Sequence, residues 1–270
     1  SNEENYPADT RWYLNYALTI KKANGDFENH STEMFQSYFK EQNPSFNLIF
    51  NTHEEAYAQI EEYKLAHLAS GDEVHDENIS LTPQPQVSFT IEDQHTGYVL
   101  AMVGGRGPKE ASRTLNRATD AKRQPGSTFK IVSAYAPAFD SAGLTLATMV
   151  NEAPFNYANG RPVNNWYSGS SRPYRGIQSI RSAIEQSYNM VAVKTITVIT
   201  PQLAYDYLIN FGFTTVTDGT VINNKFYTDV RQPMALGGLT RGVTPYELNA
   251  AYAAIANMGN YVEPKLYSRV

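Results

Sequence analysis

The chain places a serine and a lysine three residues apart directly after a chain breaker: Ser127-Thr128-Phe129-Lys130 follows Pro125-Gly126. On a helix that spacing puts both side chains on one face, so Lys130 can approach the Ser127 hydroxyl and accept its proton. Unpaired N–H groups and the positive dipole end of a first turn favour negative charge on the serine oxygen or on an adjacent oxyanion. For the lysine to act as a base, its pKa must fall from about 10.4 toward about 7, roughly 4 to 5 kcal/mol against the charged form. Burial beside Phe129 and Ile131 is the available cause. The plain alternative is an N-capping serine with a solvated lysine. Ser37-Tyr38-Phe39-Lys40 repeats the spacing, but inside a predicted helix with no breaker before it. Ser187-Tyr188-Asn189 is a second candidate: a hydroxyl that can relay protons and an amide that can bind a peptide-like substrate. Two positions apart, they converge on one ligand only from a turn or helix start. A helix cap is again the alternative, and Ser45-Phe46-Asn47 shows that the tripeptide recurs.

Positioning these residues is the work of the surrounding elements. Apolar Phe129, Ile131, Val132, Tyr135 and Phe139 predict a buried helix over 127–139. Ser187 falls between predicted helices at 177–184 and 189–197, followed by others at 201–211 and 245–258. Ahead of the serine, Val87 to Ile91 alternates as a strand, Gln94-His95-Thr96-Gly97 is turn chemistry, and Tyr98 to Val103 is a second strand stopped by Gly104-Gly105. Residues 140–175 read as irregular surface structure, and 261–270 as a strand. The first eighty residues predict helices at 11–22, 31–40 and 53–69, and residues 70–85, with Gly71, Pro83 and Pro85, read as a linker. The expected organisation is therefore a helical linker module over 1–84 and a second domain over 85–270.

Composition removes whole classes of chemistry. With 270 residues, 41% hydrophobic and 18% charged, the chain is long enough for a buried core and too apolar for general disorder. Cysteine is absent, so disulfides, thiol nucleophiles and Cys-ligated metals are excluded. Twenty-seven acidic against 22 basic residues leave a net charge of −5, which recruits neither nucleic acid nor an anionic membrane. No run approaches the roughly 18 apolar residues of a membrane span, and the start Ser1-Asn2-Glu3-Glu4 has no signal-peptide pattern. The non-Met start leads to the expectation of an excised or processed piece, itself without membrane contact, whose anchor lies elsewhere.

Arg123-Gln124-Pro125-Gly126-Ser127-Thr128-Phe129-Lys130, followed sixty residues later by Ser187-Tyr188-Asn189, resembles the transpeptidase domain of penicillin-binding proteins. Asn116-Arg117-Ala118, the hairpin ending Leu100-Ala101-Met102-Val103-Gly104-Gly105, and Gly237-Gly238-Leu239-Thr240-Arg241-Gly242-Val243-Thr244-Pro245-Tyr246-Glu247-Leu248 extend the similarity over about 86–270. The Arg-Gln-Pro-Gly-Ser form and Asn-Arg-Ala resemble the bifunctional class A branch, and residues 1–85 resemble more loosely the segment joining its two catalytic domains. The resemblance implies an α+β penicillin-binding protein/serine β-lactamase-like fold, a mainly antiparallel sheet flanked by helices. Ser127 would be the acylated nucleophile, Lys130 its proton acceptor, Ser187 part of the relay to the leaving D-alanine, and Asn189 the holder of the donor peptide. The implied partners are peptidoglycan stem peptides ending in D-Ala-D-Ala and β-lactams, at the extracytoplasmic face of a bacterial membrane. No metal or cofactor is required. The alternatives are hydrolysis of the same acyl-enzyme, as in a D,D-carboxypeptidase or β-lactamase, and a non-catalytic β-lactam-sensing or scaffold domain.

The family's third motif, Lys-Thr-Gly or Lys-Ser-Gly, does not follow Ser187: Lys194-Thr195-Ile196 lacks the glycine and lies in a predicted helix, and His95-Thr96-Gly97 precedes the serine. The expectation is a domain truncated at its C-terminus with little or no turnover. Gly104-Gly105-Arg106-Gly107 fits no phosphate-binding loop, and the five histidines show no metal-ligand spacing. Trp166 and Tyr167 read as packing residues, with a cleft lining as the alternative.

Overall fold

The computed structural model describes residues 6–107 and 113–267. The chain divides into two compact units, one of Ser1–Val87 with Gly105–Thr114, the other of Ser88–Gly104 with Leu115–Val270.

In the first unit, β1 (Arg11–Lys21) is flanked by β2 (Phe27–His30), and two helices, α1 (Thr32–Gln42) and α2 (His53–His67), are separated by the short β3 (Ile49–Phe50) and followed by β4 (Glu73–Gln84). All pairings are antiparallel: β2 and β3 share one edge of β1, and β4 runs along the other from Arg11↔Gln84 to Lys21↔Glu73. Two of the three helices expected here form, with Ser31 and Thr52 capping Met34 and Glu55 N–H groups. The expected helix at 11–22 does not. Trp12, Leu14, Tyr16, Leu18 and Ile20 are all buried while the residues between them are exposed or half-buried, a period of two rather than 3.6. That face packs on Phe35, Phe39, Ala56, Ile60 and Tyr63 from the helices. Nor is 70–85 a linker. β4 is polar because it pairs on one side only, and an edge strand tolerates Pro83. The N-terminal module is thus a four-stranded sheet carrying two helices, not a helical unit.

The second unit begins with the expected hairpin, β5 (Phe89–Glu92) and β6 (Val99–Val103). Its turn is joined by Lys265, whose N–H donates to the Gly97 carbonyl and whose carbonyl accepts from Val99. No strand forms over 261–267, where that contact is an isolated bridge, and 268–270 lie outside the described residues. The helix expected over 127–139 is in three parts: a 3-10 turn at Gly126–Thr128, a wide π-type turn at Ile131–Tyr135, and α3 (Ala136–Ser141). Pro137 has no N–H for the preceding turn, so the helix restarts there in a first-turn position that tolerates proline. Next come β7 (Met149–Glu152), inside the stretch read as irregular, and β8 (Gly176–Ser179), its antiparallel partner. The latter occupies the start of the expected 177–184 helix, which is shortened to α4 (Ile180–Glu185). Then follow α5 (Asn189–Ile199), α6 (Pro201–Asn210), the small hairpin β9 (Thr220–Ile222) and β10 (Lys225–Tyr227), a 3-10 turn at Gln232–Leu236, and α7 (Pro245–Ala256). Helix α5 is the centre of this core: Met190, Val191, Ala192, Val193 and Ile196 are almost fully buried, as an all-round apolar helix requires.

The strand assignment of β1 separates two neighbouring residues that a helix would have placed together. Leu18→Ala is expected to cost about 2 to 5 kcal/mol by urea unfolding, whereas Ala17→Glu, on the open face, stays within about 0.5 kcal/mol. Equal losses at the two positions would rule out the two-residue period.

Candidate active site

Lys130 is a buried charged residue of the second unit. Phe129 alone separates it from the 3-10 turn that carries Ser127, and it is 3% exposed. The amine donates three hydrogen bonds: to the Ser187 backbone carbonyl at 2.7 Å, to Ser187 Oγ at 2.8 Å and to Asn189 Oδ1 at 2.7 Å. An ammonium has three donors, so each is matched. Burial nevertheless pulls the Lys130 pKa down from its ordinary value to about 8.

Three of the four site residues expected from the sequence therefore meet at one point. Ser127 stands apart from that contact: it is exposed, and its hydroxyl makes no hydrogen bond among the described residues. Its environment is set by backbone. Gln124 exchanges two hydrogen bonds with Leu239, its Nε2 donating to the carbonyl at 2.7 Å and its Oε1 accepting from the N–H at 2.8 Å. Arg123 and Val243 exchange backbone bonds at 2.9 Å. Gly237, with φ +74°, lies so close that a Cβ there would sit 2.5 Å from Gly126 N, and a Cβ on Gly242 would sit 2.4 Å from the Arg123 carbonyl. Segment 237–243 is thus a backbone clamp on the turn that presents the serine. Buried Asp229 holds the clamp, accepting from Thr240 N–H and Oγ1 and from Thr217 N–H.

The second motif is set by how α4 ends. Ser187 N–H donates to the Ile184 carbonyl and Tyr188 N–H to the Ala183 carbonyl, the paired bonds of a Schellman motif. Ser187 occupies the left-handed position of that motif at φ +53°, where glycine is the usual residue. That backbone turns both the carbonyl and the hydroxyl of one residue onto Lys130. Asn189 then opens α5, its own N–H received by Asn165 Oδ1 at 2.6 Å and its Nδ2 donating to the Asn164 carbonyl at 2.7 Å. Trp166 is 72% exposed and donates its Nε1 to the Gln186 carbonyl at 3.1 Å, next to Ser187, while Tyr167 is buried. Lys194 and Thr195 lie inside α5, bonded to the Asn151 and Val191 carbonyls, and His95 to Gly97 form the β5–β6 turn.

The family model described as "Penicillin binding protein transpeptidase domain" matches residues 87–270, about two thirds of the chain. The chain belongs to the penicillin-binding protein transpeptidase family. Relatives include penicillin-binding protein 1A of Clostridium botulinum, 33% identical over 194 residues that make up 69% of this chain and 22% of that protein. Penicillin-binding protein 1A of Neisseria lactamica is 36% identical over 191 residues, 68% of this chain and 22% of that protein. Penicillin-binding protein 1A/1B of Bacillus subtilis is 30% identical over 203 residues, 74% and 20%. The chain thus spans about a fifth of the length of these relatives, and their names bear out the class A resemblance. The crystal structure of penicillin-binding protein 1A from Haemophilus influenzae has the same fold, with a TM-score of 0.54 at 20% identity over 97% of this chain and 35% of that one.

Gln124, Glu152, Asn165, Gly237 and Gly242 were not singled out by sequence reasoning as site residues. Their partners lie elsewhere in the sequence, from 13 residues away for Glu152 and Asn165 to 115 for Gln124 and Leu239. A glycine would sit more comfortably than serine at 187, so the side chain is there for its hydroxyl. Ser187→Gly is expected to be about 1 kcal/mol more stable to denaturant than Ser187→Ala, because both lose the hydroxyl and only the alanine keeps a Cβ in the left-handed conformation. Equal stabilities would remove the strain argument.

Proposed function

We propose that this chain supplies the acyl-serine chemistry of a peptidoglycan D,D-transpeptidase, with residues 85–270 as the transpeptidase module and 1–84 as a linking module. The observation that supports this most directly is the buried Lys130 amine, with its pKa near 8, bonded to Ser187 and Asn189. A lysine at its ordinary value of about 10.4 would be neutral about 200-fold more rarely at pH 7 than one at about 8. Neutral Lys130 keeps two N–H donors for the Ser187 carbonyl and Asn189 Oδ1, which only accept in these contacts. Its lone pair is then free for a hydroxyl.

In the reaction, Ser127 Oγ attacks the carbonyl of the D-Ala-D-Ala peptide bond while Lys130 takes the hydroxyl proton. The tetrahedral adduct collapses, the C–N bond breaks, and Ser187 Oγ passes its proton to the departing D-alanine amine while taking in its place the proton held by Lys130, which becomes neutral again. An amine from a second stem peptide attacks the acyl ester, and the proton it releases returns to Ser127. Asn189, already bound to Lys130 and Asn164, keeps one Nδ2 hydrogen for the donor peptide. A β-lactam carbonyl is attacked in the same way. The proposed location is the extracytoplasmic face of a bacterial membrane, and among the described residues no helix is long and apolar enough to cross one.

A labelled penicillin incubated with the full-length protein is expected to modify Ser127, read by peptide mass spectrometry, and Ser127→Ala to abolish the label. Label elsewhere in the chain would overturn the nucleophile assignment. With D-Ala-D-Ala stem peptides, an amine acceptor should appear in the product; release of the shortened acid alone would favour a carboxypeptidase.

The pH dependence has a definite sign. The base must be unprotonated, so acylation should rise about tenfold per pH unit up to about pH 7 and level off above about pH 9, with a midpoint near 8. Lys130→Ala should lose this profile with most of the rate, and a wild-type rate in that variant would remove Lys130 as the base.

A further inference from the structure

Glu152, the last residue of β7, is completely buried, and both of its oxygens are used. Oε1 accepts from Asn165 Nδ2 at 2.5 Å, and Oε2 accepts from the Arg175 backbone N–H. Asn165 is itself 6% exposed, and its Oδ1 receives the N–H of Asn189 at 2.6 Å. A chain of polar contacts therefore runs from Glu152 through Asn165 and Asn189 to the Lys130 amine.

A side-chain amide is almost symmetric in shape and opposite in hydrogen-bonding sense at its two ends, so its neighbours must decide which end points where. A carboxylate offers acceptors only. Glu152 therefore draws the Asn165 NH2 toward itself and turns the Asn165 oxygen onto the Asn189 N–H. The Asn164 carbonyl does the same for Asn189, drawing its NH2 and leaving its oxygen for Lys130. Nearby, burial and then the Glu152 carboxylate hold the Tyr167 hydroxyl above its usual range, which keeps that ring neutral beside the network.

We infer that Glu152 and Asn165 are positioning residues for catalysis. Their donor–acceptor polarity fixes the first turn of α5 and, through it, holds the Asn189 amide oxygen on the Lys130 amine. The inference rests on the reading of Lys130 as the base, but its geometry is independent of which residue is acylated.

The test exchanges the two functional groups. In Glu152→Gln, the new NH2 must face either the Asn165 NH2 or the Arg175 N–H, donor against donor. In Asn165→Asp, two carboxylates face each other. Each single change is expected to lower the plateau rate of Ser127 acylation by labelled penicillin about tenfold to a hundredfold. In the double variant the new glutamine accepts from Arg175 and donates to the new aspartate, whose other oxygen takes the Asn189 N–H, so every bond is restored. Its plateau rate should return to within about threefold of wild type. The negative charge then lies one residue nearer to Lys130, so the midpoint of its pH profile should move up, while that of Glu152→Gln moves down.

Titration of Lys130 by 13C NMR, assigned by its loss in Lys130→Arg, follows the same midpoints without any turnover. Unchanged plateau rates and midpoints in the single variants, or a double variant no faster than the slower single, would overturn the inference. So would rate losses that merely track the folded fraction in thermal melts while the Lys130 titration stays in place. Absence of label on Ser127 in the wild type would instead remove the proposed function, and the Lys130 titrations would still decide the present point.

Discussion

Taking a lysine amine out of water is costly unless every N–H finds an acceptor, and the second unit is arranged around meeting that condition at Lys130. Two of the three acceptors come from Ser187, a single residue in a left-handed conformation, and the third from Asn189 two positions later. Neither could be supplied from the interior of a regular helix, where backbone carbonyls are already engaged and side chains two apart diverge. The chain therefore ends one helix and begins another at this point, and the buried apolar α5 anchors the junction in the core. The same burial that demands three acceptors also lowers the affinity of the amine for its proton, so one constraint fixes the position of the amine and raises the fraction of it that is neutral.

The second unit's fixed parts are of two kinds. Around Lys130 the contacts are side chains with a defined donor and acceptor sense, ending at buried Glu152. Around Ser127 they are backbone to backbone, with two glycines allowing an approach that any Cβ would block. Ser127 remains exposed, on a turn held by these contacts, so its hydroxyl is accessible while its backbone is fixed.

The meeting of Lys130 with Ser187 and Asn189 was legible because the candidate residues lie at short spacings. Ser127 with Lys130, and Ser187 with Asn189, are each within three residues, and Pro125-Gly126 marks where the first pair begins. What was not legible depends on partners far along the chain. Glu152 bonds to Asn165 and Arg175, and Gln124 to Leu239, more than a hundred positions away. Secondary structure failed where local composition and tertiary role disagree. The residues of β1 include Ala17 beside Leu18, which imitates a helical face, yet Tyr16 and Ile20 complete a strict alternation that only the sheet uses. The polar β4 has the composition of a linker and the hydrogen bonds of an edge strand. Helix α5 was legible from its apolar run alone, and α7 because its apolar positions and caps agree, with reciprocal Thr244 and Glu247 bonds at its start.

The clamp formed by 237–243 has a consequence for the order of assembly. Synthesis proceeds from the N-terminus, so the turn bearing Ser127 emerges while Leu239, 115 positions beyond Gln124, does not yet exist. Lys130 likewise precedes Ser187 by 57 residues. Closing loops of this length defers their contacts until late in folding, after local helices such as α5 have formed. Ser127 is thus among the earlier residues of its unit to be made, while the contacts that fix its turn are among the last to close.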